Sequence, residues 1–318
     1  MHAGALEPAR LSFGTMSFGV TADESTARTM VDICLDAGVT LFDTANSYAA
    51  GESERLLGSA LAGRRDEVLI STKGFYPVGD GLEPGGSSAA QVASALDNSL
   101  RRLGTDYVDY YLLHGPDRSV PIEETLEALE TARRAGKIRF PAVSNFAAWR
   151  IAEMRAIAER EGWEPVTQVQ VPYNLISRRI EGEYLEAAEH FGLQTMAYNP
   201  LAGGLLSGRY GSASAAPDSG RFGGELAAMY HARYWSEAQL RAVDRLREAA
   251  AGAGLTLVEL AYRWLLSRPF IASVLVGAAS PEQLRSNLAT PGPLPADVAA
   301  ECDLVWDDLE AVAEPYYR

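Results

Sequence analysis

Long apolar runs are missing from this chain. No window of its 318 residues approaches the length of a membrane span, and the N-terminal MHAGALEPAR carries no apolar segment. A cytoplasmic protein with no membrane partner is therefore expected. Cysteine is nearly absent: Cys34 and Cys302 stand alone, with no CxxC or Cys/His spacing. That argues against a disulfide framework and a metal site, and both fall in apolar helical patterns that predict buried free thiols. Positive charge is scarce as well. Lys+Arg number 28 against 42 Asp+Glu, a net charge of −14, which argues against a nucleic-acid or anionic-membrane surface. No Gly-rich dinucleotide turn follows the first strand pattern. No repeat, low-complexity tract or linker divides residues 1–318, which read as one domain.

What is present is ample core material, 47% hydrophobic residues, arranged in a regular alternation. LSFGTM (11–16) reads as a strand, and Met30, Ile33, Cys34 and Ala37 then mark one face of a helix that Gly38 stops. VTLFD precedes a helix over 52–62, EVLIST one over 89–103, and YVDYYLLH one over 121–135. KIRFPAVS precedes a helix near 147–160, VTQVQV one near 180–191, and LQTMAY and ASVLVG complete eight strand patterns. Strict alternation implies a parallel sheet. Eight units without the dinucleotide turn favour a closed (β/α)8 barrel over a doubly wound sheet. A long loop, 201–235, follows the seventh strand. Two helical patterns, 236–251 and 256–267, precede the eighth, and a C-terminal helix and tail end the chain.

In such a barrel the active site lies at the C-terminal ends of the strands. Asp43 ends the second strand, with Tyr48 just beyond. Lys73 ends the third and His114 the fourth; Ser144 and Asn145 end the fifth, Gln170 lies on the sixth, and Tyr198 and Asn199 end the seventh. Taken singly, each has an ordinary structural explanation: a capping acid, a solvated lysine, a hydrogen-bonded histidine, a packed tyrosine. Together they put an acid, a lysine, a histidine and a tyrosine on one rim. A free phenol has a pKa near ~10. A lysine beside it is expected to lower that value, with an aspartate keeping the lysine charged. A histidine orients a carbonyl, and Tyr48 then protonates the developing oxyanion as a general acid. The chain offers no hydride of its own, so a cofactor must bring it.

These segments resemble the aldo-keto reductases, and within them the aflatoxin-aldehyde and succinic-semialdehyde reductase branch. The resemblance rests on FDTANSY with GESERLLG, LLHGPD with VPIEETLEAL, VSNFAAW, YNPLAGGLLSGRY, RFGGELAAMYHARYW and a final PYYR, and it covers nearly the whole chain. It implies an NADPH-dependent reductase of aldehydes or ketones, with Asp43, Tyr48, Lys73 and His114 as catalytic tetrad. Ser144, Asn145 and Gln170 would bond the nicotinamide carboxamide, and Tyr198 would stack on its ring. Thr15, Met16, Asn199, Pro200, Leu201, Ala202 and Gly203 would complete the nicotinamide and pyrophosphate side. Gly203, Gly204 and Gly208 would allow close backbone approach to the phosphates, with Arg209 and Arg221 supplying charge. Gly277, Ala279, Gln283 and Asn287 would face the adenosine 2′-phosphate and adenine. This chain has Gly277 and Gln283 where some relatives carry a lysine and an arginine, which weakens the case for strict NADPH use. Related branches with similar residues still prefer NADPH, so NADH is the less favoured cofactor. Tyr230, Arg233 and Arg318, with Tyr48 and His114, would bind a carbonyl substrate, the arginines taking a carboxylate; His231 is expected to be solvated. PAVSN (141–145) stands where the family usually has Ile-Gly-Val-Ser-Asn, and its Pro141 implies either a late strand start or a missing ladder bond. A homodimer is compatible with all of this. Two rival functions remain: a biosynthetic ketoreductase acting on a nucleotide sugar or secondary metabolite, and a cofactor-sensing subunit resembling potassium-channel β subunits.

Overall fold

A computed structural model describes residues 10–79, 83–211, 217, 220–224, 226–290 and 292–310. Eight parallel strands close in sequence order into a barrel: β1 (Leu11–Gly14), β2 (Leu41–Asp43), β3 (Leu69–Gly74), β4 (Val108–Leu113), β5 (Ile138–Ser144), β6 (Gln168–Pro172), β7 (Gln194–Tyr198) and β8 (Ile271–Val276). Between them run α1 (Glu24–Asp36), α2 (Glu52–Ala60), α3 (Ala89–Leu103), α4 (Ile122–Arg134), α5 (Ala148–Glu161) and α6 (Glu183–Phe191). The excursion after β7 carries α7 (Ala227–Tyr234), followed by α8 (Glu237–Gly252) and α9 (Leu257–Ser267); α10 (Pro281–Leu288) and α11 (Ala296–Glu310) follow β8. The (β/α)8 fold is thus as expected. The 201–235 segment is no simple loop, since it also folds single turns over Ala202–Ser207 and Gly220–Phe222.

Helix starts follow from local chemistry. Ser88 with Gln91, Ser236 with Gln239 and Thr256 with Glu259 each form a reciprocal capping box that opens α3, α8 and α9. Boundaries shift modestly from expectation: α2 stops at Ala60, and α6 starts at Glu183 after a separate turn over Arg179–Glu181. β5 begins at Ile138 and runs through Pro141, which pairs with Tyr111. The strand therefore does not start late; it goes without the amide proton that proline lacks.

Side chains alternate between the barrel interior and the helix layer. Phe42, Ile70, Val143, Val169 and Val276 point out into the main core, where both cysteines also lie buried and free. Leu41, Leu69 and Met196, with Tyr110 and Leu275, form a separate apolar plug. Two residues further along the same strand faces stand Asp43 and Ser71, and after them Lys73. The interior therefore turns from apolar to polar toward the C-terminal rim.

Candidate active site

At the centre of the rim, Lys73 Nζ donates to Asp43 Oδ2 at 2.5 Å and to the Thr44 carbonyl at 2.8 Å. Both charged side chains have zero exposure. Burying ions costs several kcal/mol each and is offset only when every polar atom finds a partner. Here Asp43 Oδ1 also accepts from Ser71 Oγ (2.9 Å) and Gln170 Nε2 (3.0 Å). Burial pulls the Lys73 pKa below the usual lysine range, and the Asp43 charge opposes that shift. Behind Asp43 the Thr15 hydroxyl donates to the Asp43 carbonyl (3.1 Å) and pairs with Ser53 (2.8 Å), which in turn meets Thr44 (3.0 Å). Thr15 is wholly buried, its hydroxyl taken up in bracing β2.

Tyr48 opens a single turn, Tyr48–Gly51, in which Ala49 (φ 47°), Ala50 (φ 53°) and Gly51 (φ 91°) are all left-handed. Such backbone costs roughly 1–3 kcal/mol per non-glycine residue and persists only where surrounding contacts hold it. The turn brings the Tyr48 ring to 5.2 Å from Lys73 Nζ and 5.9 Å, edge-on, from the His114 ring. The expectation that Lys73 lowers the Tyr48 pKa is not met. Its ammonium hydrogen bonds go to Asp43 and Thr44, and burial, then the Asp43 charge, raise the phenol above its ordinary value. His114 is held down to about 3 by burial and by the Lys73 charge, so its imidazole is neutral, and among the described residues its Nδ1 has no hydrogen-bond partner.

The structure brings Ser144, Asn145, Gln170 and Tyr198 together beside this pair. Asn145, itself left-handed (φ 65°), donates to the His114 carbonyl and to Ser144 Oγ, both at 3.0 Å, and accepts from the Tyr198 hydroxyl at 2.7 Å. Gln170 spends its amide nitrogen on Asp43 and on Met196 Sδ (3.2 Å). Among the described residues its Oε1 accepts no hydrogen bond, nor does the Ser144 hydroxyl donate one. An acceptor and a donor beside a half-buried tyrosine ring fit a nicotinamide carboxamide and its ring.

On the far side, Gly203 (φ 69°) could not be another residue, because a Cβ there would come within 2.5 Å of the Tyr230 ring. Asn199 (φ 55°) and Ala202 (φ 48°) are also left-handed, and Pro200 and Ala202 are buried while Leu201 is half-buried. Arg221 reaches across to Met16 Sδ (2.7 Å); Arg209 is exposed and bonds Ser207 (3.2 Å). After β8, Asn287 donates to the Gly277 carbonyl (3.0 Å), and Gln283 accepts from the Ala279 amide (3.0 Å). The first turn of α10 offers an acid, Glu282, and no cation. The donor set fits the nicotinamide half of the cofactor better than it fits a 2′-phosphate.

Arg233 is exposed at the surface, yet its charge acts on Tyr198, opposing the burial that pushes that phenol up to about 12. Tyr230 is buried, 3.5 Å from Asn199 Oδ1. His231 is not solvated: it bonds the Phe222 carbonyl (2.8 Å) and packs on Phe222 and Trp235. Arg318 lies outside the described residues. Sequence reasoning missed Ser53, Ser71 and Tyr76, whose ring stands 4.9 Å from His114. Ser71 was within reach, two residues before Lys73 on one strand face.

The profile of the aldo/keto reductase family matches residues 10–307. Human aldo-keto reductase family 7 member A3 is 34% identical, with 96% of each chain covered. Human aflatoxin B1 aldehyde reductase member 2 is 35% identical over 96% of this chain and 88% of its own. A probable voltage-gated potassium channel subunit beta from Oryza sativa subsp. japonica is 34% identical over 97% and 94%. By its barrel, the polar centre of its rim and the match over nearly its whole length, the chain belongs to the aldo/keto reductase family of oxidoreductases.

Proposed function

We propose that the chain is an NADPH-dependent cytoplasmic reductase, converting aldehydes or reactive ketones to alcohols with Tyr48 as the general acid. The observation that carries the reading is the fully buried Lys73–Asp43 pair lying under Tyr48 and next to His114. The reduced nicotinamide, when bound, supplies the hydride. Ser144 and Gln170 would hold its carboxamide and Tyr198 its ring, with Arg209 and Arg221 on the phosphates.

The chain's own residues manage the proton and the geometry. The raised pKa keeps the Tyr48 phenol protonated at neutral pH, so the proton is in place before any carbonyl arrives. It leaves only toward a stronger base, the alkoxide-like oxygen that develops as the carbonyl is reduced. The Lys73 ammonium then stabilises the phenolate left behind, and Asp43 holds that ammonium in position. Neutral His114 donates one hydrogen bond to the carbonyl oxygen and orients it without competing as an acid. Arg233, beside Tyr198, favours a carboxylate-bearing substrate.

The channel-subunit relative keeps a second reading in view, a cofactor sensor acting through a partner. NADPH consumption with a panel of neutral and carboxylated aldehydes separates the two. Turnover at about 1 s⁻¹ or faster, ordinary for enzymes, supports the reductase; cofactor that stays bound through far slower turnover supports the sensor.

A further inference from the structure

Tyr48 reaches its place through a run of left-handed backbone, and the other wall of the site, Phe75–Tyr76, leaves β3 with Phe75 also at positive φ (135°). Neither segment holds such a shape unaided, and one side chain touches the supports of both. Arg102, in the last turn of α3, donates from Nε to Glu54 Oε2 at 2.7 Å and from a terminal nitrogen to Glu83 Oε1 at 2.5 Å. Glu54 lies in the first turn of α2, wholly buried, and its other oxygen takes the Thr72 hydroxyl at 2.5 Å, one residue before Lys73. The arginine stem also lies flat on Gly51: a Cβ there would come within 2.7 Å of Arg102 Cδ. Gly51 closes the turn that Tyr48 opens. Glu83 pairs with Val78 through reciprocal backbone hydrogen bonds, which tie off the loop carrying Phe75 and Tyr76.

We propose that Arg102 is a positioning residue: it holds the Tyr48 turn and the Phe75–Tyr76 loop at fixed spacing on either side of His114. The proposal rests on the reductase reading of the site. A guanidinium suits the task because its rigid fork binds two carboxylates in different directions, which a lysine ammonium on a flexible stem does less well. The Glu54 charge additionally favours the ammonium form of Lys73, so the tie reaches the proton machinery as well as the backbone.

The test uses the full chain with NADPH. Removing Arg102 alone strands a buried acid, so the informative variant is the charge-neutral pair Glu54→Gln with Arg102→Met, alongside Glu83→Gln and Arg102→Lys. In the pair, amide hydrogen exchange should accelerate across 44–53 and 74–86 together and stay unchanged in β5–β7. The kcat for aldehyde reduction should fall roughly ten- to hundredfold, the scale of a misplacement near 1 Å, with the NADPH dissociation constant within about twofold. Glu83→Gln should loosen 74–86 alone, and Arg102→Lys should recover part of the lost kcat. Exchange that rises throughout the barrel, or an unchanged kcat despite loosening of both segments, would overturn the proposal. A parent chain that reduces no carbonyl would defeat the reductase reading, while the exchange pattern would still decide whether Arg102 ties the two segments.

Discussion

Lys73 and Asp43 form an ion pair with no solvent exposure, and the lysine ammonium spends its hydrogen bonds on Asp43 and the Thr44 carbonyl, not on Tyr48. The pair therefore acts on the tyrosine through space, by charge and by placement. That arrangement sets what each substitution around it should do.

Lys73→Met should abolish carbonyl reduction and also destabilise the fold, because it leaves Asp43 buried with only neutral donors. Breaking a buried pair from one side costs about 3–5 kcal/mol, roughly 5–10 °C in Tm for a chain of this size. Adding Asp43→Asn removes the stranded charge, so the double variant should regain most of the lost Tm and none of the activity. Differential scanning calorimetry beside an NADPH-consumption assay checks both halves. A single variant as stable as the parent would show that the pair does not hold the rim together.

His114 should make the fold acid-sensitive. Its folded pKa, about 3, lies below the ordinary value of 6.5. The native state thus binds fewer protons than the unfolded state between those values, and stability falls as pH drops through that window. Each pH unit costs about 1.4 kcal/mol. Urea unfolding of parent and His114→Gln at pH 7 and pH 4 should show the parent losing about 3 kcal/mol more than the variant. Equal losses would mean that the imidazole titrates normally in the folded protein.

Much of this was legible in the residues. The alternation of apolar runs with helical faces predicts eight β/α units, and the strand-end positions of Asp43, Lys73 and His114 follow from period two. The left-handed turn that aims Tyr48 was not legible, because Ala49 and Ala50 carry no local signal for positive φ. Its closing residue, Gly51, lies against the stem of Arg102, whose guanidinium pairs with Glu54 from 48 residues away in sequence. The direction of the Tyr48 shift was misjudged for a similar reason. Spacing brings a lysine near a phenol but does not say how deeply the phenol is buried or where the lysine's hydrogen bonds go.

Cofactor preference should be graded. Arg221 crosses the barrel mouth to Met16, while the first turn of α10 supplies no cation for a 2′-phosphate. NADPH should bind more tightly than NADH, and Arg221→Ala should narrow the gap. Titrations followed by protein fluorescence measure both. Equal affinities in the parent chain would show that the 2′-phosphate is not read.

Arg233 acts on Tyr198 through its charge, opposing the upward shift that burial gives that phenol, and the proposed carboxylate preference rests on this arginine. Arg233→Ala should raise KM for 2-carboxybenzaldehyde roughly ten- to hundredfold, the scale of a lost charged hydrogen bond, and change little for benzaldehyde. Unchanged discrimination between the two aldehydes would favour the biosynthetic-ketoreductase reading.

The central claim is that Tyr48 delivers the proton, and single-turnover reduction by Tyr48→Phe tests it most directly. The variant is pre-loaded with NADPH and mixed with saturating aldehyde, and cofactor oxidation is followed in a stopped-flow instrument. The substitution removes one oxygen and leaves the Lys73–Asp43 pair and the nicotinamide contacts in place. NADPH should bind within about twofold of the parent, and the oxidation rate should fall by roughly 10²–10⁴, the worth of a positioned general acid. A rate close to the parent's, with cofactor binding intact, would contradict the assignment and return the proton to another group on the rim.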